Sequence, residues 1–268
     1  MTYASGLAAG VLLVAVSTAV AAEPLRVCFN DHDAPRADKA SGGGYDVDLM
    51  RLIGERIGRP MTPVWIATEP TLTDIDKSDL PLRPLAKGEC DAVASVPGAP
   101  ALRGLHDRLA LTRPYYGAGF ELVGPASLPN DLAALKGRKV SVQNASVANL
   151  VAVSLGYDWT AQPTIRAQLE TLDSGKAEAA LVWGPDLGPL ARKPKSGFTP
   201  PPGLRWNEHV ATRSRDEALH AAIDGALVEL LASGRVAERL AHYGAPAHEP
   251  FDSVYSPLGA APTRPNRN

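Results

Sequence analysis

Polar side chains follow four of the apolar segments that are typical of β-strands. The four segments are Asn30 to Asp33, Ser95 to Pro97, Asn144 to Ser146 and Trp183 to Asp186. Because the carboxyl ends of parallel strands meet at one edge of an α/β sheet, we expect these segments to line one cleft. Amide, hydroxyl and carboxylate groups beside apolar side chains are suited to holding a small molecule by noncovalent contacts. The sequence therefore predicts binding chemistry at this edge.

One of these segments also precedes a helix. Asn144 and Ser146 are residue types that cap helices, and an apolar helical segment starts at Val147. The free amides of such a helix can hold an anionic group of a ligand, although capping alone accounts for both residues. Both interpretations stay open.

Aromatic side chains occur near the same strand ends. Trp65 and Trp183 can each stack on a ligand, and each is equally suited to the core. Tyr115 and Tyr116 follow Pro114 and precede an apolar segment. This position favours a role at a hinge or rim, with simple packing as the alternative.

The sequence lacks the common motifs of catalysis. It contains no G-x-S-x-G, no H-E-x-x-H, no phosphate-binding glycine loop and no dinucleotide fingerprint. Gly42 to Gly44 precede a helix, but their spacing fits neither nucleotide motif. We therefore expect a protein that is not an enzyme and that carries no cofactor.

Two acidic segments raise the question of a metal site. Asp31 to Asp33 form an acidic loop with Asp38, and Asp74 to Asp79 place oxygen atoms at alternate residues. The second segment lacks the glycine and the glutamate that a calcium loop needs at its sixth and twelfth positions. We expect both segments to be solvated loops and predict no metal site.

Length and composition are those of an ordinary globular protein. The chain has 268 residues, of which 45% are hydrophobic and 21% are charged, and its formal net charge is -2. This length allows two modest domains. The near-neutral charge argues against a nucleic-acid partner, which favours a basic surface.

Residues 1–21 have most features of a signal peptide. An apolar run from Leu7 to Val16 is followed by Ala19-Val20-Ala21, a small-x-small pattern that signal peptidases accept. No Lys or Arg precedes the run, and a buried N-terminal helix is the alternative. The run is shorter than the roughly 20 residues of a membrane span. We therefore predict export to the periplasm without stable membrane insertion.

Cys28 and Cys90 are the two cysteines of the sequence. In an oxidising compartment, two cysteines allow one disulfide, and two inert buried thiols are the alternative. Metal binding by this pair alone is not expected, because a structural zinc site needs four ligands.

Strand and helix patterns alternate through the first half of the chain. Strands are predicted at Leu25 to Phe29, Pro63 to Ile66 and Asp91 to Val96. A long helix and a short one, Leu82 to Lys87, separate them. In the long helix the side chains expected to face the core are Val47, Met50, Ile53 and Ile57, and those expected to face away are Asp46, Asp48, Arg51 and Glu55. The alternation predicts a parallel sheet with helices on its faces.

The same alternation restarts in the second half. Strands are predicted at Phe120 to Val123, Lys139 to Val142, Ala179 to Trp183 and Asn207 to Thr212. Helices are predicted at Val147 to Leu155, around Arg166 to Ser174, and from Asp216 to Tyr243 with a break at Ser233-Gly234. The side chains assigned to one face of the first helix are Val147, Leu150, Val151 and Leu155. We therefore predict two α/β lobes with a binding cleft between them.

Taken in order, short motifs resemble those of the type 2 periplasmic binding proteins, the family of amino-acid-binding components of ABC transporters. The motifs are Leu25-Arg26-Val27, Gly44 to Asp48, Leu85-x-x-Gly88-x-x-Asp91, Thr112 to Tyr116, Leu135 to Val140 and the helical stretch through Gly234 to Gly244. The resemblance implies a Venus-flytrap fold of two α/β lobes, joined by two crossover strands near residues 117–123 and 208–213. On that basis lobe 1 comprises residues 22–116 and 213–250, lobe 2 comprises residues 117–212, and residues 251–268 are a Pro-rich tail.

A narrower set of motifs is similar to the quinoprotein-dehydrogenase-associated branch of this family, the MxaJ- and XoxJ-like proteins. The motifs are Val27-Cys28, Gly88 to Val93, Val96-Pro97, Leu111 to Tyr116 and Leu181 to Pro185. This resemblance implies a disulfide between Cys28 and Cys90. It also implies a partner, either a PQQ-dependent methanol or alcohol dehydrogenase or its cytochrome c, with a small-molecule ligand as a further option.

The sequence departs from the wider family at the charge contacts of an amino-acid ligand. Those proteins hold the ammonium group with an aspartate, where this chain has Trp183 and Gly184, with Asp186 displaced. The arginine that would hold the carboxylate is unassigned among Arg103, Arg108 and Arg113. An ABC-transporter receptor for an amino acid or small organic acid is therefore the alternative function. The predicted ligand-binding residues are Asn30, Asp33, Trp65, Val96, Pro97, Arg113, Tyr116, Asn144, Ser146, Trp183, Gly184 and Asp186.

Overall fold

The computed structural model describes residues 23–68, 81–102 and 104–254 of the chain. The predicted signal peptide, the acidic segment Asp74 to Asp79, Arg103 and the tail from residue 255 lie outside the described residues. Across the described ranges, no helix is both long enough and apolar enough to cross a membrane.

The structure confirms the alternation of strands and helices. The described strands are β1 Leu25–Asn30, β2 His32–Asp33, β3 Ala37–Asp38, β4 Met61–Ile66, β5 Ala92–Val96, β6 Leu109–Leu111, β7 Tyr116–Val123, β8 Lys139–Gln143, β9 Asp158–Gln162, β10 Ala179–Trp183 and β11 Arg205–Arg213. The described α-helices are α1 Tyr45–Arg56, α2 Leu82–Lys87, α3 Val147–Ser154, α4 Ile165–Asp173, α5 Glu217–Ala232 and α6 Arg235–His242.

Most of the described strands form one mixed sheet in the order β4-β1-β5-β11-β7-β10-β8-β9, with β6 paired to β11. β4, β1 and β5 are parallel to one another, and so are β10, β8 and β9. β7 and β11 are antiparallel to each other and to the strands beside them. These two strands therefore cross between two parallel groups, which confirms the predicted pair of α/β lobes joined by two crossovers.

α1 begins where the chain passes very close to the β2–β3 hairpin. Gly44 has a φ of 134°, and a Cβ atom there would overlap the Arg36 carbonyl, so glycine is required. Val47, Met50 and Ile53 are buried, as predicted. The prediction that Asp46 faces away from the core is wrong, because the N-terminal turn of α1 lies over the carboxyl end of the sheet and buries this carboxylate.

The predicted face of α3 is wrong at Leu150, whose side chain is 69% exposed. The side chains that face β8 are those of Ala148 and Ala152, which are fully buried. Apolar residues lie on several sides of this helix, so periodicity alone does not select the face that packs.

Cys28 and Cys90 form a disulfide, as the resemblance implied. Their Cα atoms are 5.8 Å apart, within the usual range for such a bond. The bridge lies in a buried apolar cluster with Leu85, Val93 and Leu109. It ties β1 to the turn that leads into β5.

β9 and the β2–β3 hairpin are among the described elements that have no counterpart in the prediction. β9 is the strand at one end of the sheet, and its mostly polar residues give no clear period. The segment predicted as a solvated acidic loop contains the short antiparallel hairpin of β2 and β3, in which His32 pairs with Asp38. Strands of two residues are too short for any pattern to reveal.

Candidate functional site

A cavity of about 30 Å³ lies at the carboxyl ends of β1 and β5, the sheet edge at which the sequence predicted binding. Its polar lining consists of Asn30 from β1, Asp33 and Arg36 from the hairpin, Asp46 from α1 and Ser95 from β5. A volume of this size accommodates about two water molecules or one small polar group.

Asp46 is the most deeply buried carboxylate of this cavity. The Tyr115 hydroxyl donates a hydrogen bond of 2.7 Å to Asp46 Oδ1, and the Ser95 hydroxyl donates to Oδ2. The Ser95 backbone N–H donates in turn to the Tyr115 hydroxyl at 3.0 Å. Burial raises the pKa of Asp46 to about 6, against the opposing effect of these two donors. The carboxylate is thus ionised at neutral pH but close to its titration point.

A second buried carboxyl group, Glu208 of β11, lies near the same charges. Burial raises the pKa of Glu208 to about 8, the neighbouring Arg36 lowers it, and the carboxylates of Asp46 and Asp33 raise it further. Arg36 Nη2 donates to Asp33 Oδ1 at 3.0 Å. Glu208 is therefore mainly protonated at pH 7, and Arg36 is the guanidinium that these three carboxyl groups share.

Two buried tyrosines lie beside Glu208. The rings of Tyr45 and Tyr116 meet edge to face with centroids 6.0 Å apart. Within the described residues, both hydroxyls and Glu208 Oε2 are buried without a hydrogen-bond partner. Burial raises the pKa of both tyrosines well above the usual value, so both stay protonated. Buried polar groups of this kind are costly when unsatisfied, which marks this region as one built for polar contacts.

An aromatic cluster of Phe120, Trp183 and Trp206 joins β10 to the two crossover strands. The Trp183 ring lies 5.3 Å from that of Phe120 and 5.2 Å from that of Trp206, centroid to centroid. Trp183 is 6% exposed, so its indole is packed against protein. Of its two sequence interpretations, the structure favours packing.

Gly184 is held tightly by its neighbours. A Cβ atom at this position would come within 2.9 Å of the Gly119 carbonyl oxygen and 3.0 Å of Glu121 Cγ. Such distances are shorter than ordinary van der Waals contact. A larger side chain therefore has no room here unless the backbone of β7 moves.

The structure brings together some of the predicted site residues. Asn30 and Asp33 line the cavity, and Tyr116 lies beside Glu208. Val96 and Pro97 continue β5 beyond Ser95, but Val96 is buried in the apolar cluster around the disulfide.

Other predicted residues lie elsewhere. Trp65 packs on Phe29, with ring centroids 5.7 Å apart. Ser146 caps α3, because its hydroxyl accepts a 3.2 Å hydrogen bond from the Asn149 N–H. Asn144 is exposed two residues earlier, and Asp186 is half-buried in a 3-10 helix, Gly184–Leu187.

The predicted ligand contact through Arg113 is not supported. Arg113 Nη2 donates to Asp224 Oδ2 of α5 at 2.7 Å, and the Arg113 backbone N–H donates to Oδ1 of the same carboxylate. The guanidinium is thus engaged outside the cavity, and it holds the start of the first crossover to α5.

Sequence reasoning missed Arg36, Asp46 and Glu208 as site residues. Arg36 lies in a hairpin too short to predict, and Glu208 lies within a strand otherwise assigned to the hinge. The signal available for Asp46 was its place in the Gly44 to Asp48 motif. In the described part of the chain, no group of three or more His, Cys, Asp or Glu side chains is arranged to hold a metal ion.

No protein-family model matches the chain, and no curated protein matches it. Solved structures do match. The unliganded, open L-cystine solute receptor of Neisseria gonorrhoeae is 20% identical, with a TM-score of 0.66 over 83% of this chain and 94% of its own. The second substrate-binding domain of GlnP from Lactococcus lactis, also open, is 16% identical, with a TM-score of 0.65 over 83% of this chain and 95% of its own. The chain has the type 2 periplasmic binding protein fold.

MxaJ from Methlophaga aminisulfidivorans MPT matches the same periplasmic binding protein fold. It is 20% identical, with a TM-score of 0.59 over 84% of this chain and 100% of its own. At identities this low, similarity establishes the fold, and the ligand or partner has to be argued from the site.

Proposed function

We propose that the chain is a periplasmic accessory protein of a PQQ-dependent methanol or alcohol dehydrogenase system. It binds the dehydrogenase, its cytochrome c or a small ligand in the cleft between its lobes, and it catalyses no reaction. The observation that carries this proposal is the packing around Trp183 and Gly184, where amino-acid binders have an aspartate.

The packing at this position leaves no room for the aspartate side chain that amino-acid binders have there. Trp183 is enclosed by Phe120 and Trp206, and Gly184 lies against the Gly119 carbonyl. An ammonium group in the cleft would therefore lose the specific carboxylate partner that offsets its removal from water in amino-acid binders. A free amino acid is therefore a poor ligand for this arrangement.

Arg113, one of the three arginines considered for a ligand carboxylate, already has a carboxylate partner. An α-carboxylate is usually held by a bidentate guanidinium, and the Arg113 guanidinium already donates from both Nε and Nη2 to Asp224 Oδ2. A ligand carboxylate would have to replace a partner that also accepts from the Arg113 backbone.

The location and the partner class rest on two further observations. The Cys28–Cys90 disulfide fits an oxidising compartment such as the periplasm. The MxaJ structure has the same fold, and the sequence motifs of the dehydrogenase-associated branch include both cysteines and the Trp183-Gly184-Pro185 run.

An ABC-transporter receptor for an amino acid or small organic acid is the second candidate. The cavity at the ends of β1 and β5 favours it, because Asn30, Arg36 and Ser95 offer polar groups to a small ligand. The similar structures of a cystine receptor and a GlnP domain agree with this alternative.

Titration calorimetry of the full chain with a purified PQQ-dependent methanol dehydrogenase, with and without its metal and cofactor, tests the proposal. We expect a Kd in the micromolar range or tighter, and no heat from a panel of amino and organic acids. Two exposed residues of the second lobe supply a pair of variants: Asn144→Arg at the carboxyl end of β8, where the sequence predicts the rim of the cleft, and Glu170→Arg on α4. The rim variant should weaken binding about tenfold, and the α4 variant should bind normally.

The proposal is overturned if the chain, with each partner at about 100 µM, binds neither form of the dehydrogenase nor its cytochrome c, since any binding free energy would then be weaker than about 5.5 kcal/mol. If the chain fails to bind those partners but binds one of the amino or organic acids, the receptor function replaces the proposed one.

A further inference from the structure

Residues 243–254, which we name the hinge strap, run across both crossover strands after α6 ends. On β7, the Gly117 N–H donates a 3.1 Å hydrogen bond to the His248 carbonyl. The His248 ring is 2.6 Å from Glu121, measured from Nε2 to Oε1, and the Glu121 side chain is buried. The strap is thus bound to β7 by both its backbone and a side-chain pair.

The hinge strap is also bound to β11. Asn207 Nδ2 donates to the Phe251 carbonyl, and the Phe251 N–H donates back to Asn207 Oδ1, each at 2.8 Å. Arg205 Nε donates to the Ser253 carbonyl at 2.6 Å, and the Arg205 guanidinium lies 4.5 Å from the centre of the Phe251 ring. Residues 251–254, predicted as the start of the Pro-rich tail, therefore pack on a hinge strand.

Glycines allow the hinge strap to approach the backbone beneath it. A Cβ atom on Gly117 would overlap the Glu249 carbonyl and come within 2.8 Å of the Phe251 ring. The backbones of Gly188 and Gly244 are in contact. A Cβ atom on Gly188 would overlap the backbone of residues 243 and 244, and a Cβ atom on Gly244 would overlap the backbone of Gly188. Glycine at these three positions is therefore what allows the hinge strap to lie this close to the neighbouring backbone.

The hinge strap joins the lobes independently of the two crossover strands. Its start follows α6, which packs on α1 and α5 of the first lobe. Gly244 then contacts Gly188, next to the 3-10 helix that follows β10 in the second lobe. The strap finally returns to β11, so the chain connects the lobes a third time.

We propose that the hinge strap fixes the angle between the two lobes, so that this protein holds one interlobe geometry in place of opening and closing around a ligand. A hinge of two strands bends through a few backbone angles. The strap lies on one face of the β7–β11 ribbon. Bending the ribbon in either direction must therefore stretch or compress the strap and break its hydrogen bonds. The inference does not depend on which partner or ligand the cleft binds.

Distances between spin labels on the two lobes test this proposal in the full chain. Labels are attached through Glu55→Cys on α1 and Glu170→Cys on α4, both exposed, because the native cysteines are paired. Double electron–electron resonance should give one narrow distance distribution. Release of the strap by Asn207→Ala or by Gly117→Val should broaden it about twofold or add a second distance. Ser253→Ala is the control, because it keeps the carbonyl that Arg205 contacts.

Hydrogen exchange at the Phe251 amide reports whether the hinge strap has been released. Fast exchange combined with an unchanged distance distribution overturns the proposal, and so does a broad distribution in the unaltered chain. If circular dichroism shows that Gly117→Val does not fold, Asn207→Ala with His248→Ala removes strap contacts without adding volume.

Discussion

Replacing Glu208 with glutamine should stabilise the protein increasingly as the pH rises. In the folded chain, burial raises the pKa of Glu208 to about 8, whereas its value in an unfolded chain is 4.5. The folded state therefore binds more protons than the unfolded state between these two values. Stability then falls as the pH rises, since the slope of the unfolding free energy follows the proton difference. Glutamine at position 208 does not titrate, so the variant does not lose stability in this way.

The size of the effect follows from the two pKa values. Each unit of difference corresponds to about 1.4 kcal/mol, so the full loss is about 5 kcal/mol above pH 8. At pH 7 the loss is about 3 kcal/mol, and at pH 5 it is about 1 kcal/mol. The stabilising contribution of Glu208 to the free energy of unfolding is thus fully present below pH 4.5 and is lost by about pH 8. Because Asp46 and Asp33 also lie near Glu208, part of the effect belongs to their mutual repulsion.

Urea denaturation at pH 5, 7 and 9, followed by circular dichroism with the disulfide intact, measures these differences. The advantage of Glu208→Gln over the unaltered chain should grow across the series by several kcal/mol. Glu170→Gln, on the exposed surface of α4, should show no such trend. Parallel pH profiles for Glu208→Gln and the unaltered chain would refute the reasoning, because the folded carboxyl group would then titrate as the unfolded one does.

Three further variants have expected outcomes. Replacing Cys28 and Cys90 by serine should lower the free energy of unfolding by about 4 kcal/mol in urea titrations. This is the loop-closure contribution expected for a disulfide that spans 62 residues. Reduction of the unaltered chain is the control and should cause an equal loss. Gly184→Asp should lower stability by about 1–3 kcal/mol, because its Cβ meets the β7 backbone, and calorimetry should show no gain of amino-acid binding; amino-acid binding by this variant would contradict our interpretation of the site. Arg113→Ala should leave dehydrogenase binding unchanged in calorimetry and the melting temperature nearly so, because its exposed pair with Asp224 lies outside the cavity; a lost affinity would restore Arg113 as a ligand contact.

The order of strands and helices could be predicted from the sequence because each depends on local pattern. The buried strand Ala179 to Trp183 and the helix Leu82 to Lys87 match the structure residue for residue. Both are bounded by turn residues, and the ends of an element marked by such residues can be predicted without knowing the fold. The disulfide was anticipated through the resemblance, since two cysteines alone leave the thiol state open.

The site was less predictable because its charged residues lie on separate elements that are brought together only by the tertiary fold. Asp46 occupies a helical turn that normally faces solvent, and only the docking of that turn onto the sheet buries it. Glu208 and Arg36 become neighbours through the crossing of β11 beside the hairpin. Arg113 was a reasonable choice by residue type, but no local pattern reveals that Asp224, over a hundred residues later, accepts from it.

The hinge strap was invisible to sequence reasoning for a different reason. Residues 243–250 were predicted as the end of lobe 1 and residues 251–254 as the start of the tail, and neither part has a helical or strand periodicity that would indicate contact with the hinge. Their bonds to Asn207 and Gly117 involve backbone groups, which leave no trace in the pattern of side chains.

The place of β11 between β5 and β7 has a consequence for the order in which the chain can complete its sheet. β7 to β10 are contiguous along the chain, so these strands can pair with one another before β11 has been made. The first lobe needs β11, α5 and α6, which are made last, to close its sheet and cover α1. Cys28 and Cys90 both emerge well before β11, so oxidation can hold the early strands together during that wait. Completion of the sheet therefore depends on the C-terminal segment, and a chain that ended before residue 205 would leave β5 and β7 without the strand that joins them.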